Sequence, residues 1–460
     1  MPAQRRQEMV MGAYVSYGTG HHAASWRHPS SDATATRNLD HYVEVARYAE
    51  ERLFDTLFLS DAPAVFNDDQ AGFGGRVTFF EPLTLLSALA MVTEHIGLVA
   101  TSSTTYKEPY NLAREYASLD IISRGRAAWN LVTTSKLAAA RNLGLPAHPA
   151  HAERYERANE FIDIVCRLWD TWEDDAFPAD KAEGQFYDPA KRHRLRHRGR
   201  VFSLDAELNV SRPPQGYPLI VQAGSSEAGR ELAARTAEMV FTAQPDMESA
   251  VAFAQDLDRR ASRHPRLNPD IIILPGLTVY AGRTEKEARE KVEELQALIR
   301  PEFGLSMLSD LVGGYDLSGC DIEGPLPQLP PSNANTSRRA LIEKLAYEDG
   351  LNIRQLYERM TTSRGHMTLI GTYDFVTDEI VRWFENGAAD GFNIMPPLLP
   401  ESLRDFSENI LPRLQHKGVF KQKYRPGTLR EKLGLRRPEN QYVTETVTTD
   451  ERGQHHDHAR

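Results

Sequence analysis

Short apolar segments alternate with longer segments of helical spacing along most of this 460-residue chain. The apolar segments suit strands that are buried on both faces, and the segments between them place apolar residues every three or four positions. The eight predicted strands cover residues 11–18, 55–60, 96–100, 126–133, 219–221, 239–243, 271–280 and 392–395. Eight strands that each lead into a helix predict an α/β fold, a closed (β/α)8 TIM barrel with insertions. No Gly-x-Gly-x-x-Gly follows the first strand, which argues against a dinucleotide-binding sheet.

The alternation is interrupted late in the chain. Residues 300–365 include the proline-rich stretch GPLPQLPPSN, which predicts an insertion rather than another barrel layer. The length of this segment suggests a lid, and residues 367–385 then predict a helix. We expect a single domain over residues 8–435 and a polar, flexible tail over residues 436–460.

Composition limits the partners of the chain. A formal charge of −10 disfavours a nucleic-acid-binding surface. No apolar run reaches the roughly 18–20 residues that a membrane helix needs, and the first residues lack the apolar core of a signal peptide. The two cysteines, Cys166 and Cys320, have no CxxC partner, so neither a disulfide framework nor a zinc site is expected. These features predict a cytoplasmic protein without nucleic-acid or membrane partners.

The stretch PLIVQAGSSEAGRELAA at residues 218–234 predicts an anion-binding turn. An apolar strand ends at Gly224, and Ser225 or Ser226 can cap the helix that follows. Free backbone N–H groups and the positive end of a helix dipole would then meet at one point, which suits a phosphate. An ordinary helix cap with solvent in the same place is the alternative.

Polar residues follow several other predicted strands, and a barrel brings all of these strand ends to one edge. The candidates are His21, His22, Asp61, Thr101, Ser102 and Asn130. Among them we predict a proton donor or hydrogen-bond donor in His21, His22 or Asn130, because a histidine has a pKa near the working pH and an amide donates without changing charge. Adjacent histidines without a third ligand at recognisable spacing predict no metal site. Asp61 could alternatively cap a loop, and the histidines could be solvated.

Nine motifs, in order, resemble the large component of two-component, reduced-flavin-dependent monooxygenases of the bacterial-luciferase-like superfamily. They include GHHAASWRHP at 20–29, FLSDAPAVF at 58–66, ATSSTTYKEPYNLAREYASLD at 100–120, GRAAWNLVTT at 125–134 and HAERYERANEF at 151–161. The resemblance extends over most of the chain, through DGFNIMPP at 390–397. It is nearest to the nitrilotriacetate and dibenzothiophene-sulfone monooxygenase subfamily.

The resemblance implies an FMN site. In it, Asp61, Thr101, Ser102 and Asn130 correspond to residues around the flavin ring, and Ser225 and Ser226 to those near the phosphate. His151 and Tyr155 correspond to an H-x-x-x-Y pair, which lies one helical turn apart. On the sequence alone, the alternative is that His151 and Tyr155 are ordinary residues on the surface of a helix.

The resemblance also implies an activity. Reduced FMN, supplied by a separate NAD(P)H:flavin reductase, would react with O2 as co-substrate, and the resulting C4a-(hydro)peroxyflavin would oxygenate a small organic molecule. The superfamily commonly forms homodimers or homotetramers. Three alternatives stay open: a deazaflavin-dependent oxidoreductase on the same barrel, a metal-dependent hydrolase built on His21 and His22, and a non-catalytic flavin-binding protein.

Overall fold

A closed ring of eight parallel strands forms the centre of the protein, in a computed structural model that describes residues 6–65, 72–134, 136–331, 336–363 and 365–443. The strands are β1 (Val10–Tyr14), β2 (Thr56–Leu59), β3 (Gly97–Ser103), β4 (Ala127–Val132), β5 (Leu195–Arg198), β6 (Ser203–Ala206), β7 (Leu219–Gln222), β8 (Met239–Thr242), β9 (Ile272–Gly282), β10 (Met367–Thr372) and β11 (Gly391–Ile394). Pairing runs β1, β2, β3, β4, β7, β8, β9, β11 and returns to β1. The predicted barrel is confirmed.

Fifteen helices are described: most cover the outside of the ring, three belong to the insertion, and the last lies at the amino ends of the strands. They are α1 (Leu39–Glu51), α2 (Pro82–Ala90), α3 (Pro109–Ile122), α4 (Leu137–Asn142), α5 (His151–Trp169), α6 (Glu227–Thr236), α7 (Met247–Ala261), α8 (Glu285–Ala297), α9 (Pro301–Leu311), α10 (Thr336–Tyr347), α11 (Ile353–Ser363), α12 (Tyr373–Glu385), α13 (Glu401–Asn409), α14 (Leu411–His416) and α15 (Leu429–Lys432). Within the described ranges, none of these helices combines the length and the apolarity that crossing a bilayer requires.

Side chains alternate between the two faces of each barrel strand, as the two-residue period of a strand requires. On β1, Met11 and Ala13 pack outward under the helices, whereas Val10 and Tyr14 pack inside the ring. The interior is filled with apolar side chains, and leucines of the C-terminal segment close it at the amino ends of the strands: Leu429, Leu433 and Leu435. The open end is therefore the carboxyl end.

The prediction of one helix over residues 367–385 is wrong in its first third. Met367–Thr372 forms β10, which pairs in parallel with the end of β9, and the helix begins only at Tyr373. Met367 and Leu369 are buried while Ile370 is exposed, a strand alternation that helical spacing does not share. Outside the barrel, β5 and β6 form an antiparallel hairpin, in which Leu195 pairs with Ala206 and Arg198 pairs with Ser203.

The predicted insertion forms a helical layer with a core of its own. Buried side chains of α9 and α11, among them Met307, Leu308 and Tyr357, pack together with Ala24 of the β1–α1 loop. The Nζ of Lys136, just after β4, contacts a carboxylate oxygen of Asp310 on α9 at 2.8 Å. The insertion thus contacts two loops at the carboxyl end of the barrel.

The start of the predicted tail is held against the barrel. Arg212, which forms a buried ion pair with Asp170 at 2.9 Å, donates to the carbonyl of Pro438. The backbone and the side chain of Gln441 both donate to Asp170 at 3.1 Å. Packed structure therefore continues past residue 435 to the last described residues, and residues 444–460 of the predicted tail lie outside the described ranges.

Candidate active site

Aromatic rings line the carboxyl end of the barrel, which we call the mouth. They are Tyr14, Tyr17, His21, Phe58, Phe241 and His366. The rings of Phe241 and His366 stack 5.2 Å apart, and those of Tyr14 and Phe58 stack 5.8 Å apart. Because the reactive groups of such barrels lie at this end, we place the candidate active site here.

Asn130 lies inside the ring on β4, and a chain of two hydrogen bonds through Thr101 holds its amide in place. Its Nδ2 donates to Oγ1 of Thr101, and this hydroxyl donates to the carbonyl of Leu59, both at 2.8 Å. Asn130 is 3% exposed, and its Oδ1 has no hydrogen-bond partner among the described residues. Since an unpaired buried acceptor is costly, this oxygen is suited to accept from an N–H or O–H of a ligand.

Ser102 is placed differently from Thr101. Leu98 and Ala100 pack outward and Val99 packs inward, so alternation puts Ser102 on the outer face of β3. Its hydroxyl interacts there with that of Tyr116 on α3. The structure therefore does not bring the side chain of Ser102 to the mouth.

The predicted anion-binding turn forms between β7 and α6. Ser226 caps α6, since its Oγ accepts from the backbone N–H of Gly229 at 3.1 Å. The same hydroxyl donates to the phenol oxygen of Tyr155 at 3.3 Å, and the ring of His151 lies 4.7 Å from that of Tyr155. His151 and Tyr155, one turn apart on α5, thus meet Ser226 at the N-terminus of α6, with Ser225 exposed beside them.

Two glycines let this turn lie close to α6 and to Tyr155. A Cβ on Gly224 would lie 3.0 Å from the Cα of Gly229, and a Cβ on Gly229 would lie 2.9 Å from the hydroxyl oxygen of Tyr155. Any larger side chain at either position would crowd the start of α6.

Asp61 follows β2 and is partly buried. Burial and the neighbouring carboxylate of Glu81 raise the pKa of Asp61 to about 6, while the N–H of Ala62 and the charge of Lys107 act in the opposite direction. Asp61 can therefore exchange a proton near neutral pH.

His21 and His22 are both buried, and their backbone N–H groups donate to the carbonyls of Pro396 and Pro397. Burial and the positive charge of Arg76 lower the pKa of His22 to about 3. The prediction that His22 has a pKa near the working pH is therefore wrong. Its Nδ1 accepts from the N–H of Ala24 at 3.2 Å, so the neutral ring carries its proton on Nε2 and acts there as a hydrogen-bond donor.

Three mouth residues were missed by the sequence analysis: Arg76, Tyr280 and His366. The Cζ of Arg76 lies 4.5 Å from the centre of the Tyr17 ring. A signal for Arg76 was present, because an arginine within the apolar, glycine-rich run AGFGGRVTFF suggests a buried cation. Nothing in the sequence separates Tyr280 from the other residues of its apolar strand, and His366 follows the insertion that broke the predicted pattern.

The residues of the mouth fit FMN. An unpaired amide oxygen on Asn130 suits a flavin ring N–H, and the glycine-lined helix N-terminus at Ser226 suits a phosphate. In the described ranges, no group of three His, Cys, Asp or Glu side chains is arranged to hold a metal ion.

Comparison with known proteins agrees with this geometry. The model of the family described as luciferase-like monooxygenase matches residues 19–390. The chain is 47% identical to N-acetyl-S-(2-succino)cysteine monooxygenase of Bacillus subtilis (strain 168), over 95% of this chain and 99% of that protein. It is 46% identical to nitrilotriacetate monooxygenase component A of Aminobacter aminovorans, over 92% and 95%. The crystal structure of long-chain alkane monooxygenase superposes with a TM-score of 0.82 at 31% identity, over 95% and 99%.

Proposed function

The chain belongs to the luciferase-like monooxygenase family, as its motifs predict, and on this basis we propose that its mouth holds reduced FMN next to a small organic substrate. The enzyme is a flavin-dependent monooxygenase of the two-component type. Reduced FMN, when bound, supplies the electrons with which one oxygen atom of O2 is transferred to the substrate. The protein must bind, orient and shield the reacting groups.

The contact that carries the proposal is the one between Tyr155 and Ser226 at the N-terminus of α6. A phosphate placed there would accept from backbone N–H groups of α6 and from the hydroxyl of Tyr155, which in turn accepts from Ser226. His151 packs on Tyr155 and keeps its ring in position.

Other residues serve the ring end of the cofactor. Asn130, held by Thr101, would accept from a ring N–H, and Asp61 supplies a carboxyl group close to its pKa at neutral pH. The Nε2–H of His22 provides a donor that keeps its proton over the working pH range. The aromatic rings of the mouth exclude water, which favours oxygen transfer over release of hydrogen peroxide.

The insertion and the partners belong to the same proposal. We assign the insertion the role of a lid, because it contacts loops after β1 and β4. Nitrilotriacetate monooxygenase component A is by its name one part of a larger system. A separate NAD(P)H:flavin reductase would accordingly supply the reduced FMN, and the chain would act in the cytoplasm as a homodimer or homotetramer. Light scattering of the purified protein measures that assembly.

Two variants test the cofactor site. We expect S226A and Y155F each to weaken binding of reduced FMN by about 10-fold, since Y155F removes a hydrogen bond to the phosphate and S226A removes the hydroxyl that caps α6 and holds that phenol in place. The matched control is T284A, because Thr284 caps α8 in the same way, accepting from the N–H of Glu287, but follows β9 rather than β7. Anaerobic fluorescence titration with reduced FMN measures the affinity.

The two outcomes are distinct. If S226A and Y155F bind reduced FMN more weakly while T284A binds it like the wild type, the turn holds the phosphate. If all three variants bind with wild-type affinity, the phosphate lies elsewhere and the proposed orientation of the cofactor is wrong.

A further inference from the structure

A cavity of about 230 Å³ lies at the amino ends of the barrel strands, at the opposite end of the barrel from the mouth. Its wall includes Val10, the first residue of β1, Asp55, just before β2, and Leu433 of the C-terminal segment that closes this end. The volume is far above the roughly 10–15 Å³ that one water molecule needs. None of the described residues that line this cavity belongs to the proposed FMN site.

The cavity is lined by four cationic side chains and two carboxylates: Arg6, Lys421, Arg425, Lys432, Glu8 and Asp55. Lys421 forms an ion pair with Asp55 at 2.7 Å. Arg425 forms another with Glu8 at 2.9 Å. In the part of the chain that the structure describes, Arg6 and Lys432 form no ion pair with a carboxylate, and we call these two residues the cationic pair.

Hydrogen bonds to backbone carbonyls hold the cationic pair in place. The guanidinium of Arg6 donates to the carbonyl of Leu433 at 2.6 Å, so Arg6 contacts the residue that directly follows Lys432. The ammonium of Lys432 donates to the carbonyl of His95 at 2.8 Å. A guanidinium has five N–H donors and an ammonium has three, so both groups keep donors beyond these bonds.

The ammonium of Lys432 also lies beside an aromatic stack. Its Nζ is 5.7 Å from the centre of the Tyr424 ring, and that ring stacks on His95 at 4.9 Å. The phenol of Tyr424 donates to the carbonyl of Phe54 at 2.5 Å, which fixes the ring to the chain before β2. Lys432 is therefore a positioned cation rather than a freely rotating surface lysine.

The positive charge of Lys432 is only partly balanced by the protein. Burial and the charge of Arg126 lower the pKa of Lys432 to about 8, although Glu50 and Asp55 act in the opposite direction. Asp55 is already ion-paired, and Glu50 accepts from backbone N–H groups of residues 94–96. Arg126 donates to backbone carbonyls and to one hydroxyl, so its charge has no carboxylate partner among the described residues either. An anion in the cavity would stabilise the charged form of Lys432.

We propose that the cationic pair binds a small oxyanion of the phosphate class at this end of the barrel. A guanidinium and an ammonium can donate to separate oxygens of such an anion, and the charges strengthen these bonds. The bound anion would link Arg6, before β1, to Lys432, at the end of α15. Because the whole chain carries a formal charge of −10, an anion would be held by this local arrangement and not by the overall charge.

Crystals of the full chain soaked in selenate test the position of the anion directly. Selenate is a tetrahedral oxyanion like phosphate, and its selenium is located by anomalous scattering. We expect a peak within hydrogen-bond distance of both Arg6 and Lys432. Soaking with FMN present keeps the turn at Ser226 occupied, so that a peak there is not mistaken for this one. The absence of a peak at the cationic pair would overturn the inference.

Calorimetric titration with inorganic phosphate measures the same binding in solution. We expect R6Q and K432Q each to bind phosphate about 10-fold more weakly than the wild type, since each removes a charged donor. K432R keeps the charge and should bind within a few-fold of the wild type. The matched control is K286Q, because Lys286 is an exposed lysine paired with Glu290 on α8, and it should bind phosphate like the wild type.

A phosphomonoester distinguishes the two sources of such an anion. Tighter binding of glycerol 2-phosphate than of inorganic phosphate would assign the site to a phosphorylated molecule, and weaker binding would assign it to the free ion. Equal phosphate affinity of the wild type and K432Q would overturn the inference. Loss of FMN binding would contradict only the proposed function, because the cationic pair lies at the other end of the barrel.

Discussion

Asp61 and His22 lie on neighbouring loops at the mouth. Burial shifts the pKa of each side chain in the direction that favours its neutral form. The pKa of Asp61 rises to about 6 and that of His22 falls to about 3. At neutral pH the site thus contains an ionised carboxylate that folding disfavours and an uncharged imidazole. The imidazole keeps its hydrogen-bonding polarity across the working pH range, whereas the carboxyl group changes from donor to acceptor near pH 6.

Replacing Asp61 by asparagine should stabilise the protein at neutral pH. Because the folded-state pKa lies above the ordinary value of 3.8, the favourable contribution of the protonated acid is complete below that value and is lost as the pH rises through 6. D61N should therefore raise the free energy of unfolding by about 2 kcal/mol at pH 7 and leave it unchanged at pH 3.5. Denaturant unfolding at the two pH values measures this, and an equal effect at both would show that the charge of Asp61 is not responsible.

We expect the ionisation of His22 not to contribute to the pH dependence of the oxygenation rate. With a pKa of about 3, its ring stays neutral from pH 5 to 8. We expect H22Q, which keeps an N–H donor, to have the same pH profile as the wild type, at a lower rate. Steady-state assays with a flavin reductase supplied give the profile. A step near pH 6.5 that disappears in H22Q would make His22 the titrating acid.

The sequence predicted residues of the mouth wherever a strand end or a helix start carried a local signal. Ser226 was found because a serine before a helical run predicts a cap, and Asn130 because it is a polar residue in the carboxyl-terminal half of a predicted strand. Ser102 shows the limit: a shift of one residue along a strand reverses the face, and polarity alone does not give the register. Tyr280 could not be found, because nothing local distinguishes it from the other residues of its apolar strand.

Among the strands and helices, the strand that follows the insertion is the one that hydrophobic periodicity assigned wrongly. Eight strands were found from apolar runs of ordinary length, but β10 was read as part of α12 because it follows the insertion directly. Its pairing with the end of β9 is a contact over long sequence distance, which local propensity does not contain. The insertion itself was found from its proline-rich stretch.

The ion pair between Lys136 and Asp310 offers a test of the lid. We expect K136A to raise the fraction of O2 released as hydrogen peroxide, because the insertion would shield the mouth less well. The thermal midpoint should change little, since such partly exposed pairs contribute about 0–1 kcal/mol. The control is K417A, which removes the ion pair between Lys417, just after α14, and Asp378 on α12. Peroxide yields equal in K136A and the wild type would contradict the lid.

At the scale of the whole molecule, the C-terminal segment completes the barrel. Leucines of this segment plug the amino ends of the strands, and Arg430, fully buried, contacts Glu238 after α6. Gln441 and Asn440 then bond to Asp170 and its backbone. The polar composition after residue 436 predicted a flexible tail. Composition does not show whether such polar residues form hydrogen bonds to a buried charge, as Gln441 does to Asp170.

Two truncations measure this anchoring. Ending the chain after residue 435 should lower the free energy of unfolding by about 3 kcal/mol, since Asp170 and Arg212 lose hydrogen bonds at buried charges. Ending it after residue 443 keeps these bonds and serves as the control. Denaturant unfolding measures the free energy of unfolding of both truncated chains. Equal values would contradict the structural role of residues 436–443.

The central claim is that the mouth holds reduced FMN for oxygenation. The most direct measurement is an anaerobic titration of the purified protein with FMN, first oxidised and then reduced, followed by fluorescence. We expect reduced FMN to bind much more tightly than oxidised FMN, and S226A to weaken this binding. Binding of neither form, or binding of a deazaflavin instead, would contradict it.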